Sequence, residues 1–554
     1  MSDISKPEMN LLRQYIRNIS LAVAVLLLSA ASAWAAKPRL VVNIVVSGMR
    51  GSDIERYYDN LSPDGFRRLV DNGLYFSNAQ IDYLHTSTVA GLATLATGTV
   101  PSVHGVVGDR WWNYVDSSAV SLINDNKAHS VKFSTGSGNY SAHRMLMPTI
   151  GDMLLSASSE SKQISIAIEP LSAIVINGRS GVAYWAETNR THWTTSSAYL
   201  HSLPKWVESY NDANTNRLYT LTRWTPLRDI TKYHNSEVAV VEGIRGKHTR
   251  LLSDVNLNLA NSDIGRMRYT PAGNTQLLEF ASTLIAQEGL GKDSATDILN
   301  IVLDTPRHIV STYGPESIEY EDMLYRLDSD LAEFLRYIYA QVSHVEDILV
   351  VLSSDHGTSP SYNPVGSKAR DRFNTRQMEV IVNAFLGAHH GSDDYILGFA
   401  NNSLYLNHTV IRSKHLSIDA IREEVAIFML QLRGVANALS TSSLRNTSFA
   451  EGRSRLMQQS FYPTRSGDVI IDLLPGWCIE DSQTRSSSDG GYNYDRHIPL
   501  ILYGGGVQHG AVESLTPTTA IAPTLCHIMH IEVPWATESK PIKEAITTKK
   551  TNKN

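Results

Sequence analysis

Three continuous aliphatic runs constrain this chain more than any other feature. They are Leu40-Val41-Val42-Asn43-Ile44-Val45-Val46, Ile298-Leu299-Asn300-Ile301-Val302-Leu303 and Ile348-Leu349-Val350-Val351-Leu352-Ser353. A strand with one face in water alternates apolar and polar residues with period two. A run that is apolar at nearly every position must be covered on both faces, which is the condition of a parallel strand inside a layered α/β sheet.

Helical patterns fill the spaces between these runs. Phe66, Leu69 and Val70 share one face before a stop at Gly73, and 75–83 reads as extended. A short helix is expected from about Thr88 to Gly98, and a longer one over 318–342 with Leu324, Leu327, Leu331 and Phe334 at core spacing. A last strand is expected at Ile498-Pro499-Leu500-Ile501-Leu502-Tyr503. This alternation predicts an α/β fold with a doubly wound, mostly parallel sheet flanked by helices. The stretch 186–270 is rich in Trp, Tyr, Asn, Thr and Arg and has weak periodicity, so it is expected to be a cap-like insertion over the ligand edge of the sheet. The expected organisation is a signal peptide over 1–35, one α/β domain over 36–540 that carries the insertion, and a basic tail over 541–554 with Lys543, Lys549, Lys550 and Lys553.

The N-terminus has the order of an export signal. Lys6, Arg13 and Arg17 precede the apolar stretch Leu21-Ala22-Val23-Ala24-Val25-Leu26-Leu27-Leu28, and Ala33-Trp34-Ala35 fits a cleavage site before Ala36. That stretch is shorter than the ~20 residues of a spanning helix. The mature protein is therefore expected to be periplasmic or secreted, with no integral membrane segment. A net charge of −6 gives no electrostatic footprint for nucleic acid. Export permits a disulfide. Cys478 and Cys526 form either one bridge or two thiols, and their spacing excludes a CxxC zinc site.

Ligands of doubly wound sheets bind beyond the carboxyl ends of the strands. The polar residues at those ends are Ser47, Asp304 with the segment to Ser311, and Asp355-His356; Thr88 starts a helix and His497 precedes the last strand. In Ser354-Asp355-His356-Gly357 a carboxylate and an imidazole stand side by side at a strand end, where both can face a divalent cation. The same tripeptide also serves as a turn, and Thr88 in Thr86-Ser87-Thr88 also suits a helix cap.

Taken in order, the motifs resemble the alkaline phosphatase superfamily, chiefly its phosphate-irrepressible, PafA-type branch, with type I phosphodiesterases and nucleotide pyrophosphatases as relatives. The resemblance runs over roughly 39–534. It includes Thr97-Gly98-Thr99-Val100-Pro101-Ser102-Val103-His104-Gly105, Pro148-Thr149-Ile150-Gly151-Asp152, Ala183-Tyr184-Trp185 and Leu203-Pro204-Lys205-Trp206-Val207. It continues through Thr270-Pro271-Ala272-Gly273-Asn274-Thr275, Tyr313-Gly314-Pro315-Glu316-Ser317-Ile318-Glu319, Ser354-Asp355-His356-Gly357 and Tyr492-Asn493-Tyr494-Asp495-Arg496-His497-Ile498-Pro499. The resemblance implies hydrolysis of phosphate esters by a Thr or Ser nucleophile beside two zinc ions. Thr88 matches the nucleophile, Asp355 and His356 match ligands of the zinc that activates it, and His497 matches a ligand of the other zinc.

Other positions depart from the family pattern. Ser47 replaces an Asp ligand. Counting back from Tyr313-Gly314-Pro315 places Arg307 and Ser311 on the Asp and His ligands of the second zinc. Glu169 and Leu171 fall on a phosphate-contacting Lys-x-Arg, Asp109 on an Asn, and Leu92 on a His. Asp304 and His308 have the lost pair's four-residue separation, shifted along the chain, and are an alternative ligand pair. A guanidinium stays charged in proteins and two added carboxylates repel a phosphate dianion, so the pocket's field is reversed. One zinc or none is the expected occupancy. The expected function is a pseudoenzyme that binds a phosphate ester or another small ligand. Its aromatic insertion (Tyr184, Trp185, Trp193, Tyr199, Trp206, Trp224) either packs onto the core or is available to a protein or glycan. The alternative is an active phosphomonoesterase or phosphodiesterase that uses Thr88 with one metal or a rearranged site. Unrelated chemistry finds no support, because neither a Ser-His-Asp order nor a Gly-rich phosphate loop is present.

Overall fold

The computed structural model describes residues 37–132, 138–187, 192–214, 224–235, 270–342, 344–361, 372–479 and 484–546. The expected signal peptide, most of the basic tail and much of the 186–270 insertion lie outside the described residues.

The three apolar runs are adjacent strands. β1 (Leu40–Val46) pairs in parallel with β6 (Asp297–Leu303) on one side and with β7 (Ile348–Ser353) on the other. All of their residues are buried. Strand alternation divides them between two cores. Val42, Ile44 and Val46 join one core, while Val41 and Val45 join the other. At roughly 1.5–3 kcal/mol for each buried Val, Leu or Ile side chain, this double coverage is what makes such runs stable as central strands.

The sheet has ten strands. The others along its path are β2 (Leu74–Gln80), β3 (Gln163–Ala167), β4 (Val182–Ala186), β5 (Trp193–Thr194), β8 (His497–Gly504) and β9 (Gly510–Val512). Their order is β9-β2-β8-β7-β1-β6-β3-β4-β5, with Thr516–Pro517 pairing β2 at the edge. Pairing is parallel from β7 through β4, and β8 runs antiparallel to both of its neighbours. Helices cover both faces. α1 (Gly51–Tyr57) and α5 (Ile318–Tyr339) pack on one side. α2 (Thr88–Thr97) and α3 (Pro170–Asn177) pack on the other. α4 (Thr305–Tyr313) follows β6 directly. The doubly wound α/β sheet is thus present.

A buried polar thread pins the register of the central strands. Asn43 Nδ2 donates to Asn300 Oδ1 (3.1 Å), Asn300 Nδ2 to Ser165 Oγ (3.0 Å), and Ser165 Oγ to Asn177 Oδ1 (3.0 Å). Asn300 is the direct strand partner of both Asn43 and Ser165. A one-residue slip would leave each of these groups buried without a partner.

A second lobe, which sequence reasoning did not anticipate, lies between β7 and β8 in chain order. Ile396–Ala400, Ser403–Leu406, Val469–Leu473 and Val435–Ser440 form an antiparallel sheet with its own core, packed under helices Thr375–His390 and Ile418–Met429. Cys478 and Cys526 are separate buried thiols. Among the described residues, no helix is long and apolar enough to cross a membrane.

The described parts of the 186–270 insertion are held by packing and by buried carboxylates. Trp193 stacks on Phe280 at 4.1 Å and 7°. Tyr184, Trp185, Trp193 and Trp224 are all buried, and Tyr199 and Trp206 pack against the core. Of the two readings of these rings, packing onto the core holds over a binding surface, since ring area this large is stabilised by burial rather than display. Asp322 of α5 accepts from Trp224 Nε1 (2.6 Å), Leu227 N (2.7 Å), Tyr233 and Arg326 Nε (2.8 Å). Glu321 accepts from His234 N (2.8 Å) and Asn235 N (2.7 Å).

Glu319 lies on the same helix and is equally buried, but its Oε2 has no hydrogen-bond partner among the described residues. Burial pushes its carboxyl from 4.5 up to about 7. Two substitutions separate these cases. Asp322→Ala strands four donors and is expected to cost about 3 kcal/mol or more in urea unfolding. Glu319 binds its proton more tightly in the folded state. Its stabilising contribution is therefore full below pH 4.5 and is lost as pH rises through about 7. Glu319→Gln is expected to abolish that decline, so the variant's stability relative to wild type should climb across this window in pH-dependent urea midpoints.

Candidate active site at the carboxyl edge of the sheet

The carboxyl ends of β1, β3, β6 and β7 converge. Asp355 follows β7 and is fully buried. Ser47 Oγ donates to its Oδ2 (2.6 Å), while Gly48 N (3.1 Å) and His356 N (2.9 Å) donate to its Oδ1. The residues that end two adjacent strands are thereby tied through one carboxylate. Gly48 has φ +80. A Cβ there would approach Arg307 Cα at 3.1 Å, so the turn has room for neither a side chain nor the usual φ.

α2 brings Thr88 to this edge. The helix cap is Ser87, whose hydroxyl accepts from Ala90 N, and this leaves Thr88 as the first helical residue. Gly91 lies directly against the strand end: a Cβ there would come within 2.0 Å of the Asp355 carbonyl oxygen. Thr88 Oγ1 is 3.0 Å from His356 Nε2. His356 Nδ1 is 2.7 Å from the Gly357 carbonyl oxygen, an atom that only accepts. Nδ1 therefore carries a proton, and when the ring holds no second proton Nε2 accepts from the Thr88 hydroxyl. Arg50 fixes the loop that follows. Its Nε donates to Thr358 O and its Nη2 to Ser359 O, both at 2.8 Å, and its Nη1 pairs with Glu316 at 3.1 Å.

The substituted positions form a separate charge network. Arg307 Nη2 pairs with Asp304 Oδ1 at 3.2 Å. Asp304 is buried and caps the start of α3, where Glu169 N (2.9 Å) and Ser172 Oγ (2.6 Å) also donate to it. His308 Nε2 lies 3.3 Å from Glu169 Oε1. Arg307 does not pair directly with Asp355. The (i, i+3) spacing at the start of α4 puts Asp304 in reach first, and Asp355 acts on Arg307 only as a further attraction behind Asp304 and Glu169. Leu92 is in the core, Leu171 packs against it, and the Ser311 carbonyl accepts from Arg485 N at 2.7 Å.

His497 faces another way. Its Nε2 donates to the Ser77 carbonyl at 2.8 Å, and its ring packs on Gly51. Sequence reasoning missed Asp489. Its carboxyl is raised by burial, lowered by His356 and raised by exposed Asp109, which puts the three within electrostatic range of one another. Asn402 Nδ2 holds the Asp489 carbonyl at 2.9 Å. The available signal was the Asp489-Gly490-Gly491 turn just upstream of Tyr492.

These residues do not fit a pair of zinc ions. Structural and catalytic zinc sites take three or four protein ligands. Among the described residues, the one trio of His, Cys, Asp or Glu donors whose ligand atoms lie within 4.8 Å of one another is His389, His390 and Glu424, far along the chain in the second lobe. Asp355 and His356 supply two ligands at most. Two main-chain amides already occupy Asp355 Oδ1, and at the second position Arg307 and Ser311 leave His497, which could ligate only through Nδ1 while Nε2 donates to Ser77 O, below the usual three ligands.

Comparison with known proteins bears on the fold and the family. The family model for type I phosphodiesterase / nucleotide pyrophosphatase matches residues 41–494. The chain is 30% identical to alkaline phosphatase PafA of Elizabethkingia meningoseptica, over 92% of this chain and 95% of that protein. It is 28% identical to alkaline phosphatase PhoV of Synechococcus elongatus, over 92% and 93%. The crystal structure of wild-type alkaline phosphatase PafA superposes with a TM-score of 0.85 at 30% identity, covering 92% of this chain and 99% of the other.

Ser47 tests the local balance. Ser47→Ala removes a donor from a buried carboxylate and is expected to cost about 1–3 kcal/mol. Ser47→Asp opposes two carboxylates and is expected to cost more in EDTA, with added zinc recovering part of the loss. Denaturant midpoints in EDTA and in zinc check both.

Proposed function

Because the chain belongs to the type I phosphodiesterase / nucleotide pyrophosphatase family, we propose that it is an exported alkaline-phosphatase-like pseudoenzyme whose phosphate-ester hydrolysis is impaired. One observation carries this reading. The carboxylate that would ligate the nucleophile-side metal is satisfied by Ser47 Oγ, Gly48 N and His356 N, so it is stable without a cation. The charges around it support the same conclusion. Arg307 is committed to Asp304, and Glu169 and Asp109 stand where the resemblance expects cationic or amide donors. At an effective dielectric of ~20, a carboxylate about 6 Å from one phosphate charge repels it by roughly 3 kcal/mol. An alkaline phosphatase needs donors and cations at that place. A small ligand of low negative charge suits the pocket better.

The Thr88–His356 hydrogen bond favours a second reading, a slow hydrolase of diesters or sulfate esters with Thr88 as nucleophile. An imidazole lone pair facing a hydroxyl is the activated-nucleophile arrangement.

Hydrolysis of aryl phosphate mono- and diesters by the purified mature protein, with and without zinc, separates the readings. The pseudoenzyme reading expects wild-type turnover no greater than that of Thr88→Ala. Turnover in wild type that falls about 100-fold or more in Thr88→Ala would establish the hydrolase instead.

A further inference from the structure

We propose that His389, His390 and Glu424 form a binding site for one first-row divalent cation, zinc by preference, on the second lobe and separate from the strand-end site. His389 and His390 end the helix Thr375–His390, and Glu424 lies on the neighbouring helix Ile418–Met429. His389 Nδ1 is 2.7 Å from Glu424 Oε1, and His390 Nε2 is 2.8 Å from Glu424 Oε2. The three donor atoms lie within 4.8 Å of one another.

Neighbouring helical residues point about 100° apart, so two adjacent histidines do not ordinarily converge. Here they converge because each uses a different ring nitrogen: the near one of His389 and the far one of His390. The helices that carry them are locked one turn away. Phe385, one turn before His389, stacks on Phe428, one turn after Glu424, at 4.0 Å and 8°. The His389 ring lies edge-on to Phe385 at 4.4 Å. That stack and the His–Glu contacts are successive rungs between two antiparallel helices. Tyr395 OH secures the helix end by donating to the carbonyls of His390 (3.1 Å) and Gly391 (2.7 Å). The three ligands are thus held before any cation arrives, which cuts the ordering cost of binding.

The chemistry selects the cation class. Two imidazoles and one carboxylate make a borderline donor set that suits zinc and its neighbours and is poor for magnesium or calcium. The negative end of a sixteen-residue helix dipole adds attraction for positive charge. The His389, His390 and Glu424 side chains are 52%, 22% and 27% exposed, so an ion can enter and water can take its fourth position. In the cation-free form the two ring nitrogens share their protons with the carboxylate.

Calorimetric titration of the full-length mature protein with zinc chloride tests this, alongside cobalt(II) titration read by visible absorbance. Wild type and His356→Gln are both expected to bind one zinc at this site, with the intense absorbance of four-coordinate cobalt. Glu424→Gln and His390→Gln are expected to weaken zinc binding by more than the roughly 10–100-fold that follows loss of an outer-shell partner. The double substitution His389→Gln/His390→Gln is expected to abolish it, with unchanged circular dichroism. Magnesium at a hundredfold excess is expected not to compete. Zinc stoichiometry and cobalt spectra identical in wild type and the double variant would overturn the proposal. So would one equivalent that disappears in His356→Gln and survives in the double variant.

Discussion

The Asp355 carboxylate is the interaction on which the strand-end site depends. It closes the gap between the ends of β1 and β7 by accepting from Ser47 Oγ and Gly48 N, and its own loop returns through His356 N. Isolated buried carboxylates are expensive, and three donors at hydrogen-bond distance offset that expense. In a metal site of this fold the same offset comes from a dication. On the correspondence proposed above, serine in place of an aspartate changes the site twice. It removes one negative charge that a metal would have neutralised, and it adds a donor that neutralises the charge left behind.

The second half of the pocket follows the same logic through different atoms. Asp304 is fully buried, accepts from α3 through Glu169 N and Ser172 Oγ, and holds the Arg307 guanidinium. Glu169 in turn faces His308. Each charge has an opposite or a donor within the protein, so no external ion is required for the fold to close there. Truncating one member of such a network is costly, because its partners stay buried. A substitution at Arg307 thus acts first on the joint between β6, α3 and α4, and only then on any ligand.

How much of this was legible in the sequence divides along physical lines. The central strands could be read directly, because double-sided burial forces a continuous apolar run, as in 40–46 and 348–353. The α2 boundaries were also visible, since Gly98 ends the helix in the left-handed region at φ +68. The second lobe was not, because Val435–Ser440 and Ile396–Ala400 are short, half-exposed strands without a clean period. Within the site, Thr88, Asp355 and His356 were found because they stand at strand and helix ends. The Arg307 partner could not be read, since a guanidinium on a mobile stem chooses among several nearby carboxylates by geometry alone. Asp489 carried only a turn signature, and its nearness to His356 arises from a contact far apart in the chain. Aromatic residues in a weakly periodic insertion allow either a surface or a packed segment, and burial of Trp193 and Trp224 decides for packing.

The surviving Thr88–His356 pair needs no catalytic explanation. Gly91 lets α2 rest on the Asp355 backbone at a distance that excludes any side chain, and Ser87 caps the helix one residue earlier. These two contacts set the height and rotation of the first turn, and so place the Thr88 hydroxyl. The Gly357 carbonyl sets the His356 ring. Neither constraint involves a metal, a phosphate or any of the substituted positions. A nucleophile-like geometry is therefore a property of how this helix packs on this strand. On the pseudoenzyme reading proposed above, the electrostatics of Ser47, Arg307 and Glu169 therefore weigh more than the 3.0 Å contact does.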